Sequence, residues 1–247
     1  MSTLIGVGVG PGDPELLTLL GLRRLREADV IVVPVRDDLD EVGYAERVVR
    51  HHLPDASIVR APFALTDRSG VSARREQAWD AAAAVVVSAF EAGAVSVAFA
   101  TIGDPNVYST FGYLAATVRE LRPGTLTATV AGVTAMQSLA AVSGTVLCEG
   151  AEPLVLFPAM GVPERLDALL AHELLADATV VAYKGGRHWP AVREILERRG
   201  RLDDAVVGCH LGRADQTVQP ATAVAGEIPY LSTVLAPPAR TRRGGKL

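Results

Sequence analysis

Apolar residues fall along the chain in two patterns. Short runs at residues 29–35 and 95–101 show no polar alternation, which predicts strands buried on both faces of a parallel sheet. Longer stretches over 44–52, 71–92, 136–143, 164–175 and 189–199 read as helices, and 57–61, 126–130, 153–158, 178–183, 205–211 and 230–236 as further strands. The alanine-rich helix 71–92 stops before Gly93, and 62–70 is a polar loop. Arg122-Pro123-Gly124-Thr125 is the clearest break, placing a boundary between an N-terminal domain, 1–122, and a C-terminal domain, 126–247. The fold class is α/β, and the later part, richer in strand, reads as mixed rather than strictly alternating.

The most informative stretch is residues 5–19, an apolar strand running through a glycine-rich turn into a helix start. Gly8, Gly10 and Gly12 permit positive φ and leave the backbone bare, while Pro11 stiffens the turn. Asp13 is placed to cap the next helix, with Pro14 at its first position and Glu15 in its first turn. A ligand or a simple strand–helix turn would explain the glycines equally well. A dinucleotide fingerprint requires Gly or Ala where Pro11 or Asp13 stands, and no phosphate-binding G-x-x-x-x-G-K-[ST] follows. A second loop repeats the logic: the strand ending at Thr101 gives way to Gly103-Asp104-Pro105, and a helix is expected to run through Ser109 and Thr110. Asp104 is a helix cap or a site residue, and Tyr108, Ser109 and Thr110 add hydroxyls at helical spacing. Two such turns at strand ends suit a sheet that binds ligands beyond its carboxyl edge.

Composition narrows the classes. Of 247 residues, 49% are hydrophobic and 21% charged, the balance of a globular protein. The runs at 81–87 and 97–100 fall short of the roughly 18 residues a membrane span needs, and no leader is visible, so a cytoplasmic protein is expected. The net charge of -4 leaves room for local positive patches, but no basic, aromatic-interleaved face suits nucleic acid. The basic run 240–246 reads as a solvated tail. Cys148 and Cys209 are far apart and are expected as buried small hydrophobes, without a zinc site or disulfide. His51 and His52 sit at a helix end, where imidazole complements the dipole.

Taken together, G-V-G-P-G-D-P-E-L-L-T-L at 8–19, G-D-P-x-x-Y-S-T at 103–110, A-G-V-T-A at 131–135 and A-Y-K-G-G-R-H at 182–188 resemble the tetrapyrrole (corrin/porphyrin) methylase family of the cobalamin pathway. The Y-S-T, the F-P-A ending at Ala159, the K-x-G-R-H element and I-P-Y-L-S-T-V-L at 228–235 are similar to the branch that methylates carbon 20 of precorrin-2. The resemblance implies a two-domain tetrapyrrole methylase fold with the active site in the interdomain cleft, S-adenosylmethionine as cofactor with S-adenosylhomocysteine as product, and a homodimer. Carried over residue by residue, it implies cofactor contacts from Gly10, Pro11, Gly12, Asp13, Gly103, Asp104, Val107, Thr134, Ala135, Met136, Tyr183, Leu211, Gly212, Arg213 and Ala214. Asp104 and Tyr108 become the catalytic candidates. The family usually has proline where Ala131 stands and serine where Ala135 stands, which leaves backbone contacts there. A polycarboxylate substrate calls for cations, and Arg36, Arg60, Lys184 and Arg187, with Arg68 and Arg213, lie in predicted loops or at strand ends. No metal or covalent nucleophile is required, because a sulfonium methyl is already electrophilic. The alternatives are a cobalt-loaded substrate, another ring position, a non-catalytic tetrapyrrole-binding relative and, on the glycine loop alone, a dehydrogenase.

Overall fold

A computed structural model describes residues 1–35, 42–63, 72–160 and 163–240. The chain divides into two compact units, Met1–Thr134 and Ala135 onward. The first holds β1 (Thr3–Gly8), α1 (Leu19–Glu27), β2 (Val30–Val35), α2 (Tyr44–His52), β3 (Ile58–Pro62), α3 (Ala73–Glu91), β4 (Ser96–Thr101), α4 (Phe111–Leu121) and β5 (Leu126–Val130). These strands form one parallel sheet in the order β3-β2-β4-β1-β5.

The second unit comprises α5 (Ala135–Ser143), β6 (Leu154–Pro158), α6 (Pro163–Ala171), β7 (Thr179–Tyr183), α7 (Trp189–Arg198), β8 (Val206–Cys209), β9 (Thr217–Pro220) and β10 (Thr233–Ala236). Its sheet runs β6-β7-β10-β8-β9, parallel between β6 and β7 and antiparallel elsewhere, the mixed arrangement the pattern predicted. No helix among the described residues is long and apolar enough to cross a membrane.

Continuous apolar strands are buried as their composition requires. Leu4 and Val7 of β1, Val32 and Val33 of β2, and Val97 and Phe99 of β4 have no exposed surface, each contributing about 1.5–3 kcal/mol through burial. One face of the first sheet is covered by Ala82, Ala83, Val86 and Phe90 of α3 with Leu114 and Val118 of α4, and the other by Leu25 of α1 and Val48 and Val49 of α2. Gly6 lies beneath Phe111, whose ring would come within 2.7 Å of a β-carbon there. The second unit packs around the fully buried Trp189, whose indole nitrogen donates to the Val224 carbonyl. Buried Arg201 ties that unit together by donating to the carbonyls of Ala176, Ala178, Ala236 and Pro237.

Three expectations are corrected and one strand is added. Leu126–Val130 pairs with β1 in register Thr3↔Leu126 to Val7↔Val130, so the break at 122–125 is a helix-to-strand turn inside the first unit, and the chain divides at Thr134/Ala135 instead. Gly124, at φ 91, ends α4 by reversing the chain into the sheet. Strand β9 is an addition: Thr-Val-Gln-Pro is short and mostly exposed, so no apolar run announces it. Cys148 is exposed, in an irregular connection, whereas Cys209 is buried beside the Ser232 hydroxyl. Arg240 is anchored, pairing with the carboxylates of Glu152 and Glu149 and donating to the Val146 carbonyl; residues 241–247 lie outside the described chain.

Candidate active site

Because β4, β1 and β5 are adjacent and parallel, the loops after them leave the same edge of the first sheet. They meet backbone to backbone. The Val9 amide donates to the Thr101 carbonyl at 2.9 Å, and Gly10 and Gly103 form a bridge with the Gly103 amide 2.7 Å from the Gly10 carbonyl. A β-carbon on Gly132 would lie 2.1 Å from the Gly103 oxygen, and one on Gly8 would lie 2.5 Å from the same atom. Gly10 at φ 83, Gly12 at φ 144 and Gly103 at φ 69 complete a rim of left-handed glycines.

Asp104 stitches these loops together. Nearly buried, at 9% exposure, it accepts the Asn106 amide on Oδ1 at 2.8 Å and the Gly132 amide on Oδ2 at 3.0 Å. It is therefore not the cap of α4, which begins at Phe111; the Phe111 amide is taken by Ser109 Oγ. Ser109 and Thr110 precede the helix rather than lying in it, and Ser109 Oγ sits 3.0 Å from Thr101 Oγ1, a contact that closes the loop onto β4. Tyr108 adopts φ 50 and is 43% exposed, and partial burial of its phenol pushes it above its ordinary value, so it is protonated at neutral pH. The Val107 amide donates to the Asp104 carbonyl, holding Val107 against the same turn. Asp13 caps only the 3₁₀ turn Pro14–Leu16, accepting the Glu15 amide at 2.9 Å, whereas α1 is capped by Thr18, which accepts the Gly21 amide. His52 Nε2 meets the Pro14 carbonyl at 2.9 Å and so braces this loop from α2.

The remaining candidates group within the second unit, apart from buried Thr134, the last residue of the first. Tyr183 ends β7 and its hydroxyl accepts the Met136 amide at 3.0 Å, fixing the first turn of α5, which Ala135 opens. Leu211, Gly212, Arg213 and Ala214 lie in the hairpin loop between β8 and β9. Gly212, at φ 74, donates its amide to Gln216 Oε1 at 2.7 Å, and Leu211 is buried. Sequence reasoning passed over His210 and Asp215 in this loop. His210 adopts φ 53, and its Nδ1 lies 3.2 Å from Asp215 Oδ2. Burial is the largest single influence on the Asp215 carboxyl and would raise it, but two hydrogen bonds from Arg213, at 2.7 and 3.1 Å, its own backbone amide and the charges of Arg213 and His210 together outweigh burial, and the carboxyl titrates lower than usual. The readable signal was a histidine at a strand end five residues before an aspartate.

Of the expected substrate cations, Arg60 lies in β3 rather than a loop and clasps the fully buried Glu46 with bonds of 2.7 and 2.9 Å. That bond, joined by one from Arg50 and opposed by burial, holds the Glu46 carboxyl below its usual range, so Arg60 serves the core. Lys184, at φ 58, and exposed Arg187, which donates to His188 Nε2 at 3.3 Å, both follow β7. Arg36 and Arg68 lie outside the described residues.

Comparison with known proteins agrees with this architecture. Over 244 residues the chain is 31% identical to the precorrin-2 C(20)-methyltransferase of Sinorhizobium sp, covering 95% of this chain and 94% of the relative. It is 28% identical over 220 residues to the cobalt-precorrin-2 C(20)-methyltransferase of Salmonella typhimurium, covering 79% and 91%. A crystal structure of uroporphyrin-III C-methyl transferase from Thermus thermophilus, complexed with S-adenosylhomocysteine, shares the fold at a TM-score of 0.62 and 22% identity over 95% of this chain and 97% of that one. The model of the tetrapyrrole (corrin/porphyrin) methylases matches residues 3–225, and the chain belongs to that family.

Proposed function

We propose that the protein transfers a methyl group from S-adenosylmethionine to carbon 20 of precorrin-2. The observation that carries this reading is the end-to-end similarity to the Sinorhizobium precorrin-2 C(20)-methyltransferase. The geometry supports it. The glycine rim at 10, 12 and 103 offers bare backbone, and a β-carbon on Gly103 would meet nothing within 4 Å, so that face is open to a ligand. In this reading the cofactor contacts are those the family resemblance implies: Pro11-Gly12-Asp13, Asp104, Val107, Thr134, Ala135, Met136, Tyr183 and Leu211–Ala214.

Bound there, S-adenosylmethionine supplies an electrophilic methyl on a sulfonium, which needs alignment rather than a metal or a covalent nucleophile. Holding reacting groups at near-attack distance can contribute roughly 7–11 kcal/mol. The cross-linked loops serve that end, because Asp104 and the three glycine contacts leave them one arrangement. Lys184 and Arg187 are assigned to substrate carboxylates, with Arg36. Tyr108, as a phenol, donates a hydrogen bond rather than accepting a proton. A cobalt-loaded ring is the second reading, favoured by the Salmonella relative.

Incubation with S-adenosylmethionine and enzymatically made precorrin-2, with and without cobalt, should give a product one methyl heavier, with NMR placing the methyl on carbon 20. Methylation at another carbon would overturn the assignment. So would calorimetry showing NAD binding and no response to S-adenosylhomocysteine.

We also infer that the protein is a homodimer. Strand β5 is an open edge, and Leu126, Thr127, Ala128 and Thr129 are exposed on both of its faces, unlike any interior strand of a parallel sheet. Sedimentation should give twice the monomer mass at micromolar concentration; a single-chain mass would sink this reading.

A further inference from the structure

Methylation of a ring carbon that bears hydrogen requires that hydrogen to leave as a proton. In the first unit's loops, the candidate groups are engaged otherwise. Both oxygens of Asp104 accept backbone amides, Asp13 Oδ1 accepts another, and Tyr108 is a phenol. Four of the five histidines are engaged as well: His172 Nδ1 accepts the Leu174 amide, His188 Nε2 accepts from Arg187, His52 meets the Pro14 carbonyl, and His51 stands edge-on to His52.

A carboxylate faces the fifth. His210 leaves β8 in a left-handed conformation that few side chains adopt, and such outliers gather where function holds them. Its Nδ1 is buried and lies 3.2 Å from Asp215 Oδ2, off the line of a hydrogen bond. The side chain is 29% exposed while Nδ1 is buried, so its exposed surface belongs to the other atoms, of which Nε2 is the one that can take a proton. An ionised carboxylate against Nδ1 favours the tautomer protonated there and leaves the lone pair on Nε2. Arg213 keeps Asp215 in place through both carboxylate oxygens, and the Gly212–Gln216 bond fixes the loop.

We propose that His210, oriented by Asp215, takes the proton from the methylated ring carbon. The proposal rests on the methyltransferase reading above, in which Leu211–Ala214 border the cofactor. The balance is simple: π electrons of the ring carbon form the new bond to the methyl, and the sulfur–methyl electron pair remains on sulfur. The carbon–hydrogen pair then restores the ring's π system as the proton passes to His210 Nε2, and from there to water.

Two measurements test it. Nitrogen-15 NMR of the ligand-free protein should find the proton of His210 on Nδ1, with the preference lost in Asp215→Asn. A wild-type proton on Nε2 overturns the proposal whatever the activity. His210→Asn suits the left-handed backbone and should bind S-adenosylhomocysteine as the wild type does, while turnover falls by roughly 10²-fold. With precorrin-2 deuterated at carbon 20, that variant should show a primary isotope effect larger than the wild type's, and added imidazole should restore His210→Gly. Turnover within about threefold of wild type, or an unchanged isotope effect, would reject His210 as the acceptor and leave the methyltransferase reading standing. A wild type that neither binds S-adenosylhomocysteine nor methylates the ring would remove both.

Discussion

Asp104→Asn is expected to destabilise the protein by about 1–3 kcal/mol and to lower single-turnover methyl transfer by roughly 10²-fold. The carboxylate accepts two backbone amides on separate oxygens, from Asn106 and from Gly132, in a nearly buried position. Asparagine has one acceptor oxygen and one NH2, so whichever amide loses its partner faces a donor and bears the desolvation cost alone. A helix cap would behave differently: its loss costs about 1 kcal/mol or less on this replacement and leaves chemistry untouched. The bond to Gly132 crosses from the loop after β4 to the loop after β5, so breaking it moves the rim assigned to the cofactor. A displacement on the order of 1 Å is enough for the expected loss of rate. Melting temperature, S-adenosylhomocysteine calorimetry and single-turnover transfer on one preparation decide it. Unchanged turnover would remove Asp104 from the site, and a stability change under about 0.5 kcal/mol would show that the two amides are satisfied by water instead.

The same residue shows what can be read from sequence and what cannot. Strand ends, glycine turns and apolar runs were legible because burial on both faces and positive φ each demand particular residues. That is why β2, α2 and β4 fall where the pattern places them. The partner of Asp104 was not legible: Gly132 lies 28 residues away, and local capping and a long-range tie use the same carboxylate. Strand β5 was assigned to the wrong unit because a Pro-Gly turn marks a reversal of the chain equally well inside a domain and between domains. Cys148 looked like core, yet it is exposed, since the three apolar residues 146–148 in an irregular connection carry no period that would orient them. His210 and Asp215 escaped notice because a seven-residue hairpin loop, 210–216, brings them together by backbone strain at His210 and Gly212, which no side-chain pattern encodes.

Gly132→Ala should be more damaging than any apolar truncation of comparable size. The added β-carbon would stand 2.1 Å from the Gly103 oxygen and 2.8 Å from the Cα and carbonyl carbon of Gly8. All three are backbone atoms of strand-end loops, so no rotamer change relieves the clash and the loops must separate. The expected cost is about 3 kcal/mol, the upper end for overpacking, together with loss of S-adenosylhomocysteine binding. Gly8→Ala presses on the same oxygen at 2.5 Å and should cost a similar amount, and the double variant should cost less than the sum, because one separation accommodates both methyls. Gly112→Ala is the control. It lies in α4 with nothing within 4 Å of the new carbon, so it should be neutral or stabilising by up to about 1 kcal/mol. Urea denaturation of the four proteins separates close backbone packing from the general effect of replacing a glycine. If Gly132→Ala proved no more destabilising than Gly112→Ala, the three loops would not be packed backbone to backbone, and the rim assigned to the cofactor would lose its physical basis.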